Sequence, residues 1–312
     1  MTTSAISTVV MGAGAVGSYY GALLARAGQS IALIARGRQL DALRARGVTI
    51  EREGHPTQVV RPALVTDDPA AIGPVELVVL ATKSQDLEAA AATIAPLLGP
   101  DTLVLPLLNG VDIHERLAAR IGRERIVTGF CEIAVALREP GVVRYNGARD
   151  RIVLGELDGR TSERSERLAE RLRQAGIHVD VSTRITRDLW TKFLWLDPIA
   201  GLCAVTRLPL GPVLAHPETR AQLIACMREV ERVALALGVE LPANIVETSL
   251  ARLDGFPAQL RPSLLDSLER GASLEIDGLQ GAVIRLGERV GVETPIHRLI
   301  HAVLAPAAGG AG

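Results

Sequence analysis

The run Thr8-Val9-Val10-Met11 passes directly into Gly12-Ala13-Gly14-Ala15-Val16-Gly17, and this junction constrains the fold more than any other stretch of the chain. The four apolar and β-branched residues make a short buried strand, and the small residues from Gly17 to Ala25 continue as a helix. Ile31 to Ala35 is the next strand, so the opening reads strand, glycine turn, helix, strand. Each glycine then has a physical task. Gly12 makes the tight turn, Gly14 lets a pyrophosphate approach the backbone, and Gly17 lets helix and strand pack closely. The free amides at the helix start, around Ala15 and Val16, face the phosphates. A plain strand-to-helix turn is the alternative; the strand before and the helix after favour a dinucleotide.

The end of the second strand chooses between the two nicotinamide dinucleotides. An Asp or Glu there would bind the ribose hydroxyls of NAD. This chain has Ala35-Arg36-Gly37-Arg38 instead, with no acid until Asp41. Arg36 suits a 2′-phosphate, so NADPH is the expected cofactor. The competing reading is that Arg36 or Arg38 simply caps a surface loop.

Further along, Glu76 to Ala81 is an apolar strand, Gln85 to Leu97 an alanine-rich helix, and Thr102 to Pro106 a strand ending at Asn109-Gly110. This alternation predicts an α/β domain with a doubly wound, mostly parallel sheet of Rossmann type. Between Ile126 and Leu154 the pattern turns to short strands, at Ile133 to Leu137, Gly141 to Tyr145 and Arg151 to Gly155. A helix over Glu163 to Ala175 and a strand over Ile177 to Val181 close that domain, and beyond Ser182 the text is helical. The expected division is an N-terminal Rossmann domain over 1–182 and an all-α C-terminal domain over 183–312. The tail from Ala305 to Gly312 is Ala, Gly and Pro and is expected to fray.

Composition narrows the function classes. With 48% hydrophobic and 22% charged residues the chain is globular rather than disordered. A net charge of −1 supplies no long-range field for nucleic acid or an anionic membrane, so phosphate recognition has to be local. The Arg160 to Arg173 segment interleaves Glu163, Glu166 and Glu170, which is a solvated helix face and not a nucleic-acid patch. No run of about 18 apolar residues spans a membrane. The Met1-Thr2-Thr3 start lacks a secretory pattern, and Cys131, Cys203 and Cys226 are odd in number and irregular in spacing. A cytoplasmic protein with reduced thiols is expected.

Lysine usage singles out two positions. Of 34 Lys plus Arg, only Lys83 and Lys192 are lysine. Lysine can give up its proton when desolvated and guanidinium effectively cannot, so a chain that otherwise writes its cations as Arg has reason to keep Lys where a proton moves. Lys192 lies among Leu189, Trp190, Phe193, Leu194, Trp195 and Leu196, surroundings that demand a partner or a purpose for an ammonium. The competing reading is a surface residue on an amphipathic helix.

Six separated motifs resemble the ketopantoate reductase family over nearly the whole chain. They are GAGAVGSYYG at 12–21, ATKSQDL at 81–87, LNGV at 108–111, PGVVRYNG at 140–147, LWTKF at 189–193 and PSLLDSLERGASLEIDGLQG at 262–281. The resemblance implies NADPH-dependent reduction of a 2-keto acid to a 2-hydroxy acid, of the 2-dehydropantoate 2-reductase type that serves pantothenate biosynthesis. It implies that Lys192 is the general acid and that Glu275 contacts substrate and cofactor and positions that lysine. It further implies that Ser263 binds the substrate carboxylate, that Asn109 sits where cofactor and substrate meet, and that Lys83 lies by the nicotinamide. Plainer roles stay open for four of them: a helix-dipole partner for Glu275, an N-cap for Ser263, a turn for Asn109-Gly110 and a solvent-facing strand end for Lys83.

The chain departs from the family at one place. Four and eight positions after the lysine the family carries Asn, on one helix face; here stand Leu196 and Ala200. Asp197 is one residue off that face, and Pro198 is placed to kink the helix. The departure favours a less polar keto substrate within the same family, and a catalytically silent NADPH-binding sensor is the reading from another class. No metal is implied: His297 and His301 are four apart, but HRLIH has no acid between its histidines. A helical second domain offers a surface for a homodimer.

Overall fold

The structure is a computed structural model that describes residues 5–147 and 150–310; the Met1-Thr2-Thr3 start lies outside them. In chain order the elements begin β1 (Thr8–Met11), α1 (Ala15–Arg26), β2 (Ile31–Ile34), α2 (Gly37–Arg46), β3 (Val48–Arg52), β4 (Gln58–Val60), β5 (Leu64–Thr66) and β6 (Val75–Leu80). They continue α3 (Leu87–Thr93), β7 (Leu98–Pro106), α4 (Ile113–Ile121), β8 (Thr128–Glu132), β9 (Val135–Glu139), β10 (Val142–Tyr145), β11 (Arg151–Gly155), α5 (Glu163–Gln174) and β12 (His178–Val181). Among the described residues seven helices follow: α6 (Ile185–Thr206), α7 (Leu210–Ala215), α8 (Pro217–Ala236), α9 (Ile245–Asp254), α10 (Ser263–Glu269), α11 (Gln280–Val290) and α12 (Pro295–Leu304).

The chain separates into two compact units. One comprises residues 1–108 and 113–185, the other residues 109–112 and 186–312. The short segment Asn109–Asp112, which follows β7 in sequence, therefore belongs to the helical unit.

In the first unit five parallel strands lie in the order β5-β2-β1-β6-β7. The sheet is covered on both faces, which is why its strands are apolar along their length and do not alternate. Val10, Leu33 and Val79 enter one core, while Val9, Ile34 and Val78 enter the other. Strand order reverses between β1 and β6, and such a switch point is where open parallel sheets bind ligands, beyond the carboxyl ends of the strands.

Two smaller sheets complete this unit, and the sequence hinted only at some of their strands. One has the order β4-β3-β10-β9, with β10 parallel to β3 and antiparallel to β9. The other is β12-β11-β8. Strand β10 starts at Val142 because Gly141 has φ +81°, outside the strand region. The helix expected over Gln85 to Leu97 is shorter. It is a tight turn at Ser84–Asp86, then α3, then a second tight turn over Ala95–Leu97 that carries Pro96, which lacks the amide a helix would need.

Among the described residues the second unit is all-α apart from its connections. Its longest helix, α6, runs unbroken through Pro198. Of the tail expected to fray, Ala305–Ala307 form a turn of helix and the Ala308 carbonyl accepts from the Leu274 amide at 2.9 Å, while residues 311–312 lie outside the described residues.

Candidate active site

The glycine turn is built as its sequence requires. Gly12 has φ +97°, and a Cβ there would stand 2.8 Å from the Ala81 carbonyl and from the Thr82 side chain. A Cβ on Gly17 would lie 2.0 Å from the Gly12 oxygen. These two glycines are demanded by the protein's own packing. Gly14 is not: its backbone is extended (φ −71°, ψ −160°), and an added Cβ would meet nothing within 4 Å. Since the fold itself leaves Gly14 free to be another residue, the requirement there falls on a group that approaches from outside. Gly14 is also the N-cap of α1, with no capping side chain and no acid in the first turn of Ala15, Val16 and Gly17. The residues present thus fit a pyrophosphate, with first-turn amides toward it and no competing negative charge.

Around that turn, Gln39 on α2 donates to the Ala13 carbonyl at 2.7 Å, and its oxygen accepts from the Gly141 amide at 2.9 Å. Ser18 donates to the same Ala13 carbonyl at 2.9 Å. Sequence reasoning missed Gln39 because nothing in the local pattern links it to residues 26 positions before and 102 after. Arg36 stands two residues past β2, is exposed, and is the N-cap of α2 without using its side chain as the cap. Lys83 stands three residues past β6, half-buried, at the start of the turn Ser84–Asp86. That position shares the carboxyl edge of the switch point with Gly12.

In the helical unit Lys192 is buried, 7% exposed, on the first half of α6. Trp190, Phe193, Leu194 and Trp195 around it are all buried as well. Its Nζ donates to Asn109 Oδ1 at 3.0 Å. Residues 83 positions apart are therefore brought together, and they belong to the same compact unit. The segment that carries Asn109 is held at its far end too, where Asp112 pairs with Arg285 of α11 at 2.8 Å. Asn109 has more than a turn to make: its amide oxygen faces an ammonium, and Gly110 beside it takes φ +131°.

The remaining two expectations land differently. Ser263 is exposed and is the first residue of α10, with Pro262 at the cap position and no side-chain capping bond. The N-cap explanation for Ser263 therefore has no support. Glu275 is half-buried in the loop between α10 and α11, five residues before α11 begins, so it is not near a helix start as its sequence suggested. The turn Ile276 to Leu279 intervenes because Leu279, with φ −101° and ψ −102°, is not helical.

Leu196 is half-buried and Ala200 is 2% exposed, on the same face of α6 as Lys192. Asp197 turns to another side, into a fully buried cluster with His297, Glu229, Cys226 and Gln280. The donor atoms of Asp197, Cys226 and His297 lie within 4.8 Å of one another. Both imidazole nitrogens, however, already meet a carboxylate at hydrogen-bond length: Nε2 meets Asp197 at 2.8 Å and Nδ1 meets Glu229 at 2.6 Å. Burial disfavours a charged imidazole, yet the Asp197 carboxylate, through its charge and its hydrogen bond, outweighs it and raises His297 well above the ordinary histidine range. Burial pushes the Cys226 thiol up, which leaves the carboxylates as the negative partners. His301, the other histidine of the HRLIH run, is half-buried and 3.4 Å from Asp277.

A doubly wound sheet with a phosphate-ready glycine turn at its switch point, together with a helical unit holding a buried lysine against an amide, defines a nicotinamide-dinucleotide-dependent oxidoreductase. Comparison with known proteins narrows the class. The family described as ketopantoate reductase PanE/ApbA matches residues 8–159, and its C-terminal region matches 184–308. A 2-dehydropantoate 2-reductase of Mesorhizobium japonicum is 34% identical over 322 residues, covering 95% of each chain. The crystal structure of a PanE/ApbA family ketopantoate reductase from Ralstonia eutropha JMP134 superposes with a TM-score of 0.88 at 31% identity, covering 97% of this chain and 98% of that one. D-mandelate dehydrogenase with NADH and anilino(oxo)acetate shares the fold (TM-score 0.87, 23% identity, 96% and 98% covered). The chain belongs to the ketopantoate reductase family. Among the described residues no helix is long and apolar enough to cross a membrane.

Proposed function

We propose that the protein reduces a 2-keto acid to a 2-hydroxy acid with NADPH, and that Lys192 is the general acid. The observation that carries this reading is an ammonium only 7% exposed, held 3.0 Å from the Asn109 amide oxygen. The bound cofactor supplies the hydride to the carbonyl carbon. Negative charge then grows on the carbonyl oxygen, and an ammonium within hydrogen-bond reach stabilises that charge and passes its proton to the oxygen. Asn109 accepts one Nζ proton and so directs the ammonium. Ser263 is assigned to the substrate carboxylate and Glu275 to the substrate and cofactor near the lysine, in keeping with the motif that holds both. On the cofactor side, Gly12, Gly14, Ala15, Val16 and Gly17 form the pyrophosphate cradle. The exposed Arg36 takes the 2′-phosphate and Lys83 lies toward the nicotinamide.

The substrate itself is set by α6. Leu196 and Ala200 remove two polar partners from the face that presents Lys192, and a pocket rejects an ill-matched substrate mainly through polar groups left unpaired. A 2-keto acid with a less polar body than ketopantoate is therefore favoured, with ketopantoate as the close alternative. Purified protein given NADPH or NADH with a panel of 2-keto acids tests both points. NADPH oxidation with an alkyl or aryl 2-keto acid exceeding that with ketopantoate is expected. Lys192→Ala should lower kcat by about 10²–10⁴-fold. Turnover that survives Lys192→Ala would remove the lysine from its role, and cofactor binding without oxidation on any substrate would favour a sensor.

A further inference from the structure

Five residues beyond Lys192, α6 is gripped by a chain of buried polar groups that the proton transfer itself does not use. Asp197 Oδ2 lies 2.8 Å from His297 Nε2, and Asp197 Oδ1 accepts from Gln280 Nε2 at 2.8 Å. The same Gln280 amide reaches the Asp197 backbone carbonyl at 3.3 Å. On the far side of the ring, His297 Nδ1 lies 2.6 Å from Glu229, whose carboxylate also accepts from the amides of Ile296 (2.9 Å) and His297 (3.2 Å) in the first turn of α12. Four helices, α6, α8, α11 and α12, are thus tied together around Asp197 and His297 by residues that are at most 1% exposed. Such a cluster is a poor way to gain stability, because desolvating the charges offsets much of their attraction and well-packed apolar residues of the same volume do as well or better. Its gain is geometric.

The location says what the geometry serves. Pro198 follows Asp197 and has no N–H, so the Leu194 carbonyl loses its helical partner between the turn that holds Lys192 and the rest of α6. A helix weakened there can bend, and any bend swings the long lysine side chain. A catalytic group has to be held to within about 0.5 Å of its working position. We propose that Asp197 is a positioning residue for Lys192, fixing the direction of α6 at its weak point, with His297, Glu229 and Gln280 acting through it. This inference rests on Lys192 being the acid.

The chain's two lysines make the test direct. Protein labelled with ¹³C at lysine Cε shows two side-chain signals, and Lys83→Arg assigns them. In Asp197→Asn, which keeps the shape and removes the charge, the Lys192 signal should shift or broaden while the Lys83 signal stays. With NADPH and the best 2-keto acid, kcat should fall about ten- to a hundredfold with KM within about twofold. Glu229→Gln, at the far end of the chain of bonds, should show the same effects more weakly, and it carries the test if Asp197→Asn does not fold. Val230→Ala, a cavity in the buried face of α8 outside the chain of bonds, should lower the melting temperature without moving the Lys192 signal or kcat. A folded Asp197→Asn with an unmoved Lys192 signal and unchanged kcat overturns the proposal. Turnover retained in Lys192→Ala together with a shifted Lys192 signal in Asp197→Asn overturns the acid but supports the positioning.

Discussion

Three glycines of the fingerprint look equivalent in sequence and are not equivalent in the fold. Gly12 needs its positive φ, which costs an L-residue about 1–2 kcal/mol, and the Ala81 backbone leaves no room for a Cβ. Gly17 has the Gly12 carbonyl where its Cβ would be. Gly12→Ala and Gly17→Ala should therefore lower the melting temperature by several degrees without ligand present. Gly14→Ala meets open space and should leave that temperature within a degree or so. It should instead weaken NADPH binding by about tenfold or more, because a methyl group then occupies the path of the pyrophosphate. Titration of NADPH by fluorescence alongside thermal melts separates the two kinds of glycine. Arg36 belongs to the same scale: Arg36→Ala should cost affinity for NADPH and little for NADH, and an equal loss for both would take the 2′-phosphate away from it. Lys192 was legible in the sequence through its rarity and its aromatic surroundings. Its partner was not, since Asn109 is 83 positions away and only the folded chain brings the two together.

At the scale of elements, α6 carries both the reactive lysine and the buried carboxylate that meets His297. Its apolar residues and its position after Ser182 made it recognisable as a helix of the second domain. Its charge cluster was not recognisable: His297 reads as an ordinary core histidine until Asp197 and Glu229, 100 and 68 positions away, are seen at its two nitrogens. The cluster sets a pH window. His297 is raised above its ordinary value of 6.5, so its contribution to stability is complete below 6.5 and is lost as pH rises through the higher folded value. For Glu229, burial opposes ionisation, but the bonds from His297 and the two α12 amides prevail and hold it below its ordinary 4.5. Its contribution is complete above 4.5 and is lost as pH falls through the lower folded value. Urea denaturation should accordingly show the largest difference between wild type and His297→Gln between about pH 4.5 and 6.5, shrinking toward alkaline pH. A difference that grew with pH would mean that the ring is neutral in the fold.

For the whole molecule, two compact units each bury their own core, and the three cysteines lie inside them. Cys131, Cys203 and Cys226 are free and buried, and burial pushes the Cys203 thiol up to about 12. The native protein should therefore give almost no rapid reaction with an aromatic disulfide reagent, and three thiols should appear on unfolding in denaturant. A fast thiol in the native state would show that one of the units opens locally.

From residues alone came the strand–glycine–helix opening, the alternation that makes a parallel sheet, the helical second half and the lysine that stands out from a background of arginine. These are local signals, since periodicity, turn chemistry and residue type are written within a few positions of one another. The folded chain alone decided the rest. It paired β10 with β3 across some 90 residues, assigned Asn109–Asp112 to the helical unit, and set Glu275 in a loop ahead of α11. It also enclosed Asp197, His297 and Glu229 in one buried cluster. Each of these depends on which distant segments share a core, and hydrogen bonds closed over 68 to 100 residues leave no trace in the local pattern.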